Sequence, residues 1–303
     1  MRNRFIKTLS DLAALHKNIF LICGDLGYSV LEEFAESYPD RFLNAGIAEQ
    51  NMTQVAVGLA REGYNVFTYS IGNFPTLRCM EQIRHDVCYH GANVKIVAVG
   101  AGYAYGPQGV SHHATEDLTM MRALPGMTVC SPADPCEARA AANFMARHQG
   151  PGYIRLNKSG ESPLYEPEGA LEIQPGRFLS VKDGVDTLVL ATGAVVQPML
   201  IELQSTARNW ALWSSPFVGG YDQDVMISIA QRFNRIVTVE ENQLNGGFGS
   251  SILEFFGDLF ARGTLATMPK ITRVGIPNIF VSTAGTQEHL RRRAGITLAD
   301  LSW

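Results

Sequence analysis

Residues Asn44–Met52 read N-A-G-I-A-E-Q-N-M and lead into the helix-like run Thr53–Arg61. At the centre of this stretch, Glu49 stands among alanine, glycine, isoleucine and methionine. Apolar surroundings partly remove a carboxylate from water and favour its protonated form, which can share a proton with a ring nitrogen. Alternatively, Glu49 is a first-turn acid that interacts favourably with the helix dipole. The local sequence leaves both interpretations open.

Helical and apolar segments alternate on both sides of this stretch. Apolar residues at helical spacing predict a helix over Phe5–His16, and the run Asn18–Cys23 predicts a buried strand. Further strands are predicted over 65–69, 94–99, 127–131 and 152–156, and further helices over 31–38, 77–88, 116–123 and 135–147. Such alternation predicts a doubly wound parallel sheet. Gly24, Asp25 and Leu26 follow the first strand, at the edge where sheets of this kind bind ligands.

The second half of the chain repeats this α/β plan after a break. Residues 161–176 contain three prolines and no apolar period, which is typical of a linker. A strand over 187–191, a turn over 192–194, a helix over 195–207 and a strand over 235–240 are predicted beyond it. We therefore expect two doubly wound α/β domains, at residues 1–160 and 177–303, joined by the linker 161–176.

Composition narrows the class of protein. The chain has 303 residues, 46% hydrophobic and 18% charged, as expected for an ordinary globular protein of about two domains. A net charge of −4 predicts no general attraction to nucleic acid or to anionic membranes. The five cysteines show no C-x-x-C spacing, and we find no export signal or membrane-spanning run, so we expect a cytoplasmic protein.

Several further blocks carry a family resemblance. They are E-Q-I-R (81–84), S-H-H-A-T-E-D (111–117), M-R-A-L-P (121–125) and S-P-A-D (131–134). With I-A-E-Q-N-M they resemble, in the same order, the pyrimidine-binding domain of the transketolase group of thiamine diphosphate enzymes. V-E-E-N-Q-L-N-G-G-F-G at 239–249 resembles the C-terminal domain of the same enzymes. The resemblance implies thiamine diphosphate and Mg²⁺ as cofactors.

The resemblance also implies roles for residues around the cofactor. Glu49 falls on the glutamate that contacts the aminopyrimidine ring and controls its protons. Ile47 and Asp25 fall on other cofactor-binding positions, Asp25 close to the thiazolium. This chain has Y-S-I-G-N-F where the family has S-T-F, so we favour Phe74 as the ring that stacks on the pyrimidine, with Tyr69 as the alternative. That all three nearby aromatic residues, Phe67, Tyr69 and Phe74, are ordinary core residues also stays open.

A second set of residues is implied to bind the sugar. His112 falls on the active-site histidine or glutamine that faces the donor, where imidazole suits hydroxyl binding and proton transfer. Arg2 and Ser29 fall on an arginine and a serine that bind the sugar phosphate. The chain departs from the family at three positions: Lys158 replaces an arginine, Gly100 replaces a histidine, and Gln108 replaces an aspartate that reads a hydroxyl. We expect altered recognition of the sugar.

The family's diphosphate and metal site has no counterpart that we recognise here. G-D-L-G at 24–27 follows the first strand of the pyrimidine-like domain and lacks the later metal ligands. The resemblance therefore implies a split enzyme, in which an N-terminal subunit supplies the diphosphate and Mg²⁺ site and the two chains form an α2β2 heterotetramer. In this interpretation the chain itself provides no metal ligands.

Three functions remain as hypotheses. The first is transfer of a two-carbon ketol unit from a ketose to an aldose. The second is the β subunit of a 2-oxo-acid dehydrogenase, or a decarboxylating enzyme similar to deoxyxylulose-phosphate synthase. The third is a non-catalytic assembly or regulatory partner that keeps the fold without the chemistry.

Overall fold

The structure, a computed structural model, describes residues 1–158, 160–165 and 171–301. Two sheets, each covered by helices, follow one another along the chain, which confirms the predicted α/β fold class. None of the described helices is long and apolar enough to span a membrane.

The first sheet has six parallel strands in the order β2-β1-β3-β4-β6-β5. These strands are β1 (Ile19–Cys23), β2 (Phe42–Asn44), β3 (Asn65–Ile71), β4 (Val94–Val99), β5 (Thr128–Cys130) and β6 (Gly152–Leu156). The helices are α1 (Arg2–Leu15), α2 (Glu32–Ser37), α3 (Glu49–Arg61), the short α4 (Met80–Gln82), α5 (Asp117–Arg122) and α6 (Pro135–Arg147). Every residue of β1, β4 and β6 is buried, as expected of strands covered on both faces.

Side chains of β3 alternate between the two faces of this sheet. Val66 packs in the hydrophobic cluster that contains Met52 of α3, whereas Phe67 and Tyr69 pack in the cluster that contains Phe5 of α1. Because successive side chains of a strand point to opposite faces, α3 and α1 cover opposite sides of the sheet. This separation decides which aromatic residues can approach Glu49.

The second sheet has five strands in the order β11-β10-β8-β9-β7. They are β7 (Leu179–Lys182), β8 (Leu188–Ala191), β9 (Ala211–Ser214), β10 (Arg235–Gln243) and β11 (Lys270–Ile276), with helices α7 (Val196–Gln204), α8 (Gln223–Arg232), α9 (Phe248–Ala261) and α10 (Gln287–Arg293). The edge strand β7 pairs with β9 in the antiparallel direction, a feature that the sequence does not indicate. The other pairs are parallel.

Three local predictions need correction. Residues 42–44, for which no strand was predicted, form the strand β2, and the helix expected from Thr53 begins at Glu49. The segment 77–88 is not one α-helix, because a 3₁₀ turn over Leu77–Cys79 and α4 lead into a π-helix over Ile83–Tyr89. Of the linker 161–176, residues 166–170 lie outside the described part of the chain.

Candidate active site

The candidate site lies at the carboxyl edge of the first sheet. Asp25, Phe74, Gly100 and Lys158 lie in the segments that follow β1, β3, β4 and β6 respectively. These strands are neighbours in the sheet, so their following loops converge at one edge. Glu49 joins them because α3 begins shortly after the end of β2.

Asn44, the last residue of β2, fixes two of these loops. Its side-chain oxygen accepts hydrogen bonds from the backbone N–H groups of Asp25 (3.0 Å) and Gly46 (2.9 Å), and its amide donates to the Asp25 carboxylate (2.9 Å). Asp25 and Ser29 have φ values of 54° and 61°, in the left-handed region. Such backbone strain is common in loops that bind ligands, and the Asn44 side chain helps to hold it.

Glu49 is a buried carboxylate in the first turn of α3. Only 1% of its surface is exposed. Its Oε2 accepts a hydrogen bond of 2.6 Å from Nη1 of Arg78, whose side chain is 45% exposed. The guanidinium supplies the charge partner that a buried carboxylate needs. Arg78 therefore lies between Glu49 and solvent.

Phe74 and His112 extend this arrangement. The Arg78 guanidinium lies 4.7 Å from the centre of the Phe74 ring, and the Phe74 ring meets the His112 ring edge to face at 5.3 Å. Nδ1 of His112 is 3.0 Å from the Ser111 hydroxyl, which leaves Nε2 of this ring to act on a ligand. The structure thus brings Glu49, Phe74 and His112 together through Arg78.

Glu49 also borders an unsatisfied polar atom. A Cβ built on Gly24 would lie 3.4 Å from Cγ of Glu49 and 3.5 Å from the Ser70 hydroxyl, a buried group without a hydrogen-bond partner. Burial raises the pKa of the neighbouring Cys79 thiol to about 11, so this thiol stays neutral. The Ser70 hydroxyl and the neutral Cys79 thiol therefore lie close to the buried Glu49 carboxylate.

Tyr69, the alternative stacking ring, lies elsewhere. It is 1% exposed and packs in the cluster on the α1 side of the sheet, on the face opposite to α3. Strand alternation therefore turns its ring away from Glu49. Phe74, which is partly exposed in the loop after β3, is the aromatic residue beside the carboxylate.

The sugar-binding candidates divide into two groups. Arg2, at the start of α1, and Lys158, after β6, both lie beside Tyr105. Ser29 and Gln108 are exposed, and within the described chain their side chains form no hydrogen bonds. Ile47, a candidate for cofactor binding, is 79% exposed on the loop before Glu49.

The second domain holds the glycine-rich loop that carries His112. The Glu241 carboxylate accepts a hydrogen bond of 2.7 Å from the Tyr103 backbone N–H and pairs with Arg291 of α10 at 2.5 Å. Arg155 donates to the Asp117 carboxylate and to the Glu241 backbone oxygen, and all three residues are buried. These contacts fix the loop 100–113 against both domains.

These residues fit the aminopyrimidine end of thiamine diphosphate. Glu49 offers a carboxylate, Phe74 offers a ring, Ile47 offers an exposed apolar side chain, and the orphaned Ser70 hydroxyl lies beside them. Arg78 occupies one oxygen of the Glu49 carboxylate, Oε2. In the described ranges no group of three histidine, cysteine, aspartate or glutamate side chains could hold a metal ion.

Arg78, Tyr105 and Asn44 are the residues that sequence reasoning missed. Arg78 lies 29 positions from Glu49, and no local pattern connects them. Asn44 stood in the deciding stretch, but its role depends on the pairing of β1 with β2. The sequence signal for Tyr105 was indirect. Position 100, where the resembled family has a histidine, is a glycine here and carries no side chain.

Comparisons with known proteins place the whole chain beside one group. The family model of the transketolase pyrimidine-binding domain matches residues 1–160, and that of the transketolase C-terminal domain matches residues 176–301. The chain is 32% identical over 295 residues to a protein of Methanocaldococcus jannaschii described as a transketolase C-terminal section, covering 96% of this chain and 90% of that protein. It is also 32% identical to one subunit of the apulose-4-phosphate transketolase of Phocaeicola vulgatus, covering 91% of this chain and 87% of that protein.

Longer relatives and a solved structure extend this comparison. The chain is 33% identical to 1-deoxy-D-xylulose-5-phosphate synthase 1 of Geobacter sulfurreducens, but it spans only 46% of that protein. A solved structure described as a split gene transketolase, inactive beta4 tetramer, matches with a TM-score of 0.84 and 32% identity, covering 98% of this chain and 93% of that one.

Proposed function

Because this chain belongs to the transketolase family, we propose that it is the C-terminal subunit of a split, thiamine diphosphate-dependent transketolase. Its reaction is the transfer of a two-carbon ketol unit from a ketose to an aldose. The observation that carries the proposal is the buried Glu49, 2.6 Å from Arg78 and next to Phe74 and His112, in a chain that matches split transketolase subunits over nearly its full length.

The chain supplies the pyrimidine half of the cofactor site. When bound, thiamine diphosphate supplies the nucleophilic carbon that accepts and passes on the two-carbon unit. Glu49 holds a proton at the pyrimidine ring, and Phe74 stacks on that ring. Asp25, fixed by Asn44, and Ile47 complete the wall of the site on the β1 and β2 side. Arg78, which contacts both Glu49 and Phe74, would supply a cation at the edge of the site.

His112 acts on the donor sugar. Its Nδ1 is engaged by Ser111, and its ring is held by the edge-to-face contact with Phe74. The Nε2 atom can therefore donate to or accept from a substrate hydroxyl near neutral pH. The hydrogen bond from the Tyr103 backbone N–H to the Glu241 carboxylate helps to hold the loop that carries His112.

A separate N-terminal subunit completes the site. Exposed apolar side chains occur in the strand β2 and in the segments that follow β1, β2, β3 and β4: Tyr28, Leu43, Ile47, Leu77 and Val110. Burial of such a patch is the usual function of a protein interface. We place the diphosphate and Mg²⁺ sites on the partner and expect an α2β2 assembly. The split transketolase in the form of a beta4 tetramer is described as inactive, which is consistent with a requirement for the other subunit.

The direct experiment mixes this chain with the transketolase N-terminal-like subunit from the same genome. With thiamine diphosphate, Mg²⁺, a ketose phosphate donor and an aldose acceptor, the mixture should form the two new sugars, and neither subunit alone should do so. Absence of ketol transfer in the assembled mixture, with a panel of phosphorylated and neutral ketoses, would contradict the proposal.

The match to 1-deoxy-D-xylulose-5-phosphate synthase supports one alternative reaction, which the same mixture can test. Such an enzyme decarboxylates a 2-oxo acid before it transfers the remaining carbons. Release of CO₂ from pyruvate by the same mixture, without transfer from any ketose, would favour this alternative. A complex that assembles but performs neither reaction would favour a non-catalytic role.

A further inference from the structure

The loop after β3 lies against the segment that carries His112. Gly72, at the start of this loop, has φ +34°, and a Cβ built on it would lie 3.1 Å from Cβ of Ala114 and 3.8 Å from the backbone oxygen of His112. A larger residue at position 72 would therefore push the two segments apart. The close approach brings the next residue, Asn73, beside the backbone on both sides of His112.

Asn73 donates hydrogen bonds from its side-chain amide to that backbone. Nδ2 of Asn73 is 2.8 Å from the backbone oxygen of His113 and 3.4 Å from that of Ser111, so the first bond is of ordinary length and the second is long. Both partners are carbonyl oxygens, which only accept, so the amide nitrogen must face them. One side chain thus holds the residues immediately before and after His112.

The oxygen of the same amide is left without a partner. Oδ1 of Asn73 is buried, and it has no hydrogen-bond partner among the described residues. A buried oxygen without a donor lowers the stability of the fold, because the group has lost its contact with water. An apolar residue at position 73 would avoid this cost. Stability alone therefore does not explain the asparagine, whereas the two bonds from Nδ2 do.

The loop that carries Asn73 is itself fixed at both ends. At its start, the backbone N–H of Gly72 donates to the oxygen of Val99, the last residue of β4, at 2.8 Å. Further along, the Gln50 side chain of α3 donates to the backbone oxygen of Arg78 at 3.1 Å. Asn73 therefore extends from a segment that β4 and α3 hold in place.

The amide contacts complete the set that fixes the His112 ring. The Ser111 hydroxyl, 3.0 Å from Nδ1, and the edge-to-face contact with Phe74 orient the imidazole about its side-chain bonds. Asn73 instead fixes the backbone from which that side chain extends. Such support matters for a group that acts on a substrate, because a displacement of about 1 Å can lower a rate about 100-fold.

These contacts come from residues at which the chain departs from the family pattern, since Gly72 and Asn73 lie in Y-S-I-G-N-F where the family has S-T-F. We propose that Asn73 is a positioning residue for ketol transfer, whose amide holds the backbone on both sides of His112 and so directs Nε2 of that ring to a hydroxyl of the ketose donor. This inference rests on the proposed function. Asn73 acts through His112 and does not need to touch the donor.

The test is a double-mutant cycle of Asn73→Ala and His112→Ala in the assembled enzyme, with the ketose of the panel that is transferred fastest. Asn73→Ala should lower kcat/KM for this donor about tenfold, as expected for one lost hydrogen bond, and change the affinity for thiamine diphosphate less than about twofold. In the His112→Ala background the same change should have less than about a twofold effect. Asn143→Ala is the matched control, because its amide also donates to a backbone oxygen, that of Arg139 on α6. Equal effects of Asn73→Ala in the two backgrounds would overturn the inference while leaving ketol transfer intact.

Hydrogen–deuterium exchange of the assembled complex tests the positioning independently of turnover. The His112 N–H donates to the Gly109 oxygen at 3.0 Å, so loosening of this turn opens it to exchange. Mass spectrometry over residues 109–114 should show exchange about tenfold faster in Asn73→Ala and in Asn73→Asp, whose carboxylate cannot donate, than in the unsubstituted protein or Asn143→Ala. Faster exchange in both variants would support the positioning role even if the complex catalysed a different reaction. Unchanged exchange in both would overturn it.

Discussion

At the scale of single residues, the main contact of the Glu49 side chain is with Arg78. Its carboxylate is almost fully buried, yet the half-exposed Arg78 guanidinium lies directly on it and also covers Phe74. The burial follows from the apolar residues around Glu49 and was predictable from the sequence. The pairing with Arg78 was not, because it depends on the loop after β3 folding back over the start of α3.

Substitution of Glu49 tests its role in proton control. Glu49→Gln in the assembled enzyme should lower the rate of ketol transfer by about 10² to 10⁴, the usual range for a lost acid or base. Glu62→Gln, an exposed residue just after the same helix, is the control and should keep the unsubstituted rate. Steady-state kinetics would measure both, and near-normal turnover of Glu49→Gln would refute its assigned role.

A double-mutant cycle measures the contact between Glu49 and Arg78. Arg78→Met leaves the buried carboxylate without its cation and should lower the free energy of unfolding by about 1 to 3 kcal/mol, less than for a fully buried pair because Arg78 is half exposed. In a Glu49→Gln background the same change should cost less than about 0.5 kcal/mol. Urea denaturation gives these values, and equal costs in the two backgrounds would show that the pair is not coupled.

At the scale of elements, the loop 100–113 depends on the second domain. Glu241 of β10 accepts a hydrogen bond from the Tyr103 backbone and pairs with Arg291 of α10, so a strand and a helix of the second domain hold the loop two residues before Tyr105. The second domain therefore helps to position the loop that carries His112.

Arg291→Met tests the contact between Arg291 and Glu241 that holds the loop. Glu241 is 2% exposed, and without the guanidinium its carboxylate would be buried with only neutral donors, so the free energy of unfolding should fall by about 3 kcal/mol. Arg293→Met changes an exposed arginine of the same helix and should stay within about 0.5 kcal/mol of the original protein. Chemical denaturation of both variants provides the comparison; similar small effects would mean that the Arg291 contact contributes nothing to holding the loop.

Several long elements were predictable with their bounds, whereas short or irregular ones were not. β4, α6 and β6 have the predicted bounds, because each is a long buried run or an alanine-rich helix with a proline at its start. β2 has three partly exposed residues and carries no pattern. The helix α9 was not predicted, although its buried Phe248, Ile252, Phe256 and Leu259 follow a helical spacing, and the π-helix over 83–89 has no recognisable sequence signal.

At the scale of the whole molecule, buried carboxyl groups make stability depend on pH. Burial raises the pKa of Glu137 and of Glu240 to about 7 from an ordinary value of about 4.5. Tyr165 and Asp134 lie beside Glu137, and Asp134 adds to the increase. Between about pH 4.5 and 7 the folded chain therefore binds more protons than the unfolded chain, and its stability falls as the pH rises.

Glu137→Gln should reduce this dependence. The glutamine keeps a hydrogen-bonding side chain beside Ala133 and Tyr165 but cannot ionise, so the loss of stability between pH 5 and pH 7.5 should shrink by up to about 3 kcal/mol. Urea unfolding at the two pH values would measure the difference, with Glu62→Gln as the exposed control. A pH dependence identical to that of the original protein would show that Glu137 does not titrate in this window.

The central claim is that this chain carries half of a cofactor site that an N-terminal subunit completes. Calorimetric titration with thiamine diphosphate and Mg²⁺ tests it most directly, on this chain alone, on the partner alone and on their mixture. We expect binding in the mixture that is much tighter than in either subunit and that Glu49→Gln weakens. Equally tight binding by this chain alone, or no binding by the assembled mixture, would contradict the claim.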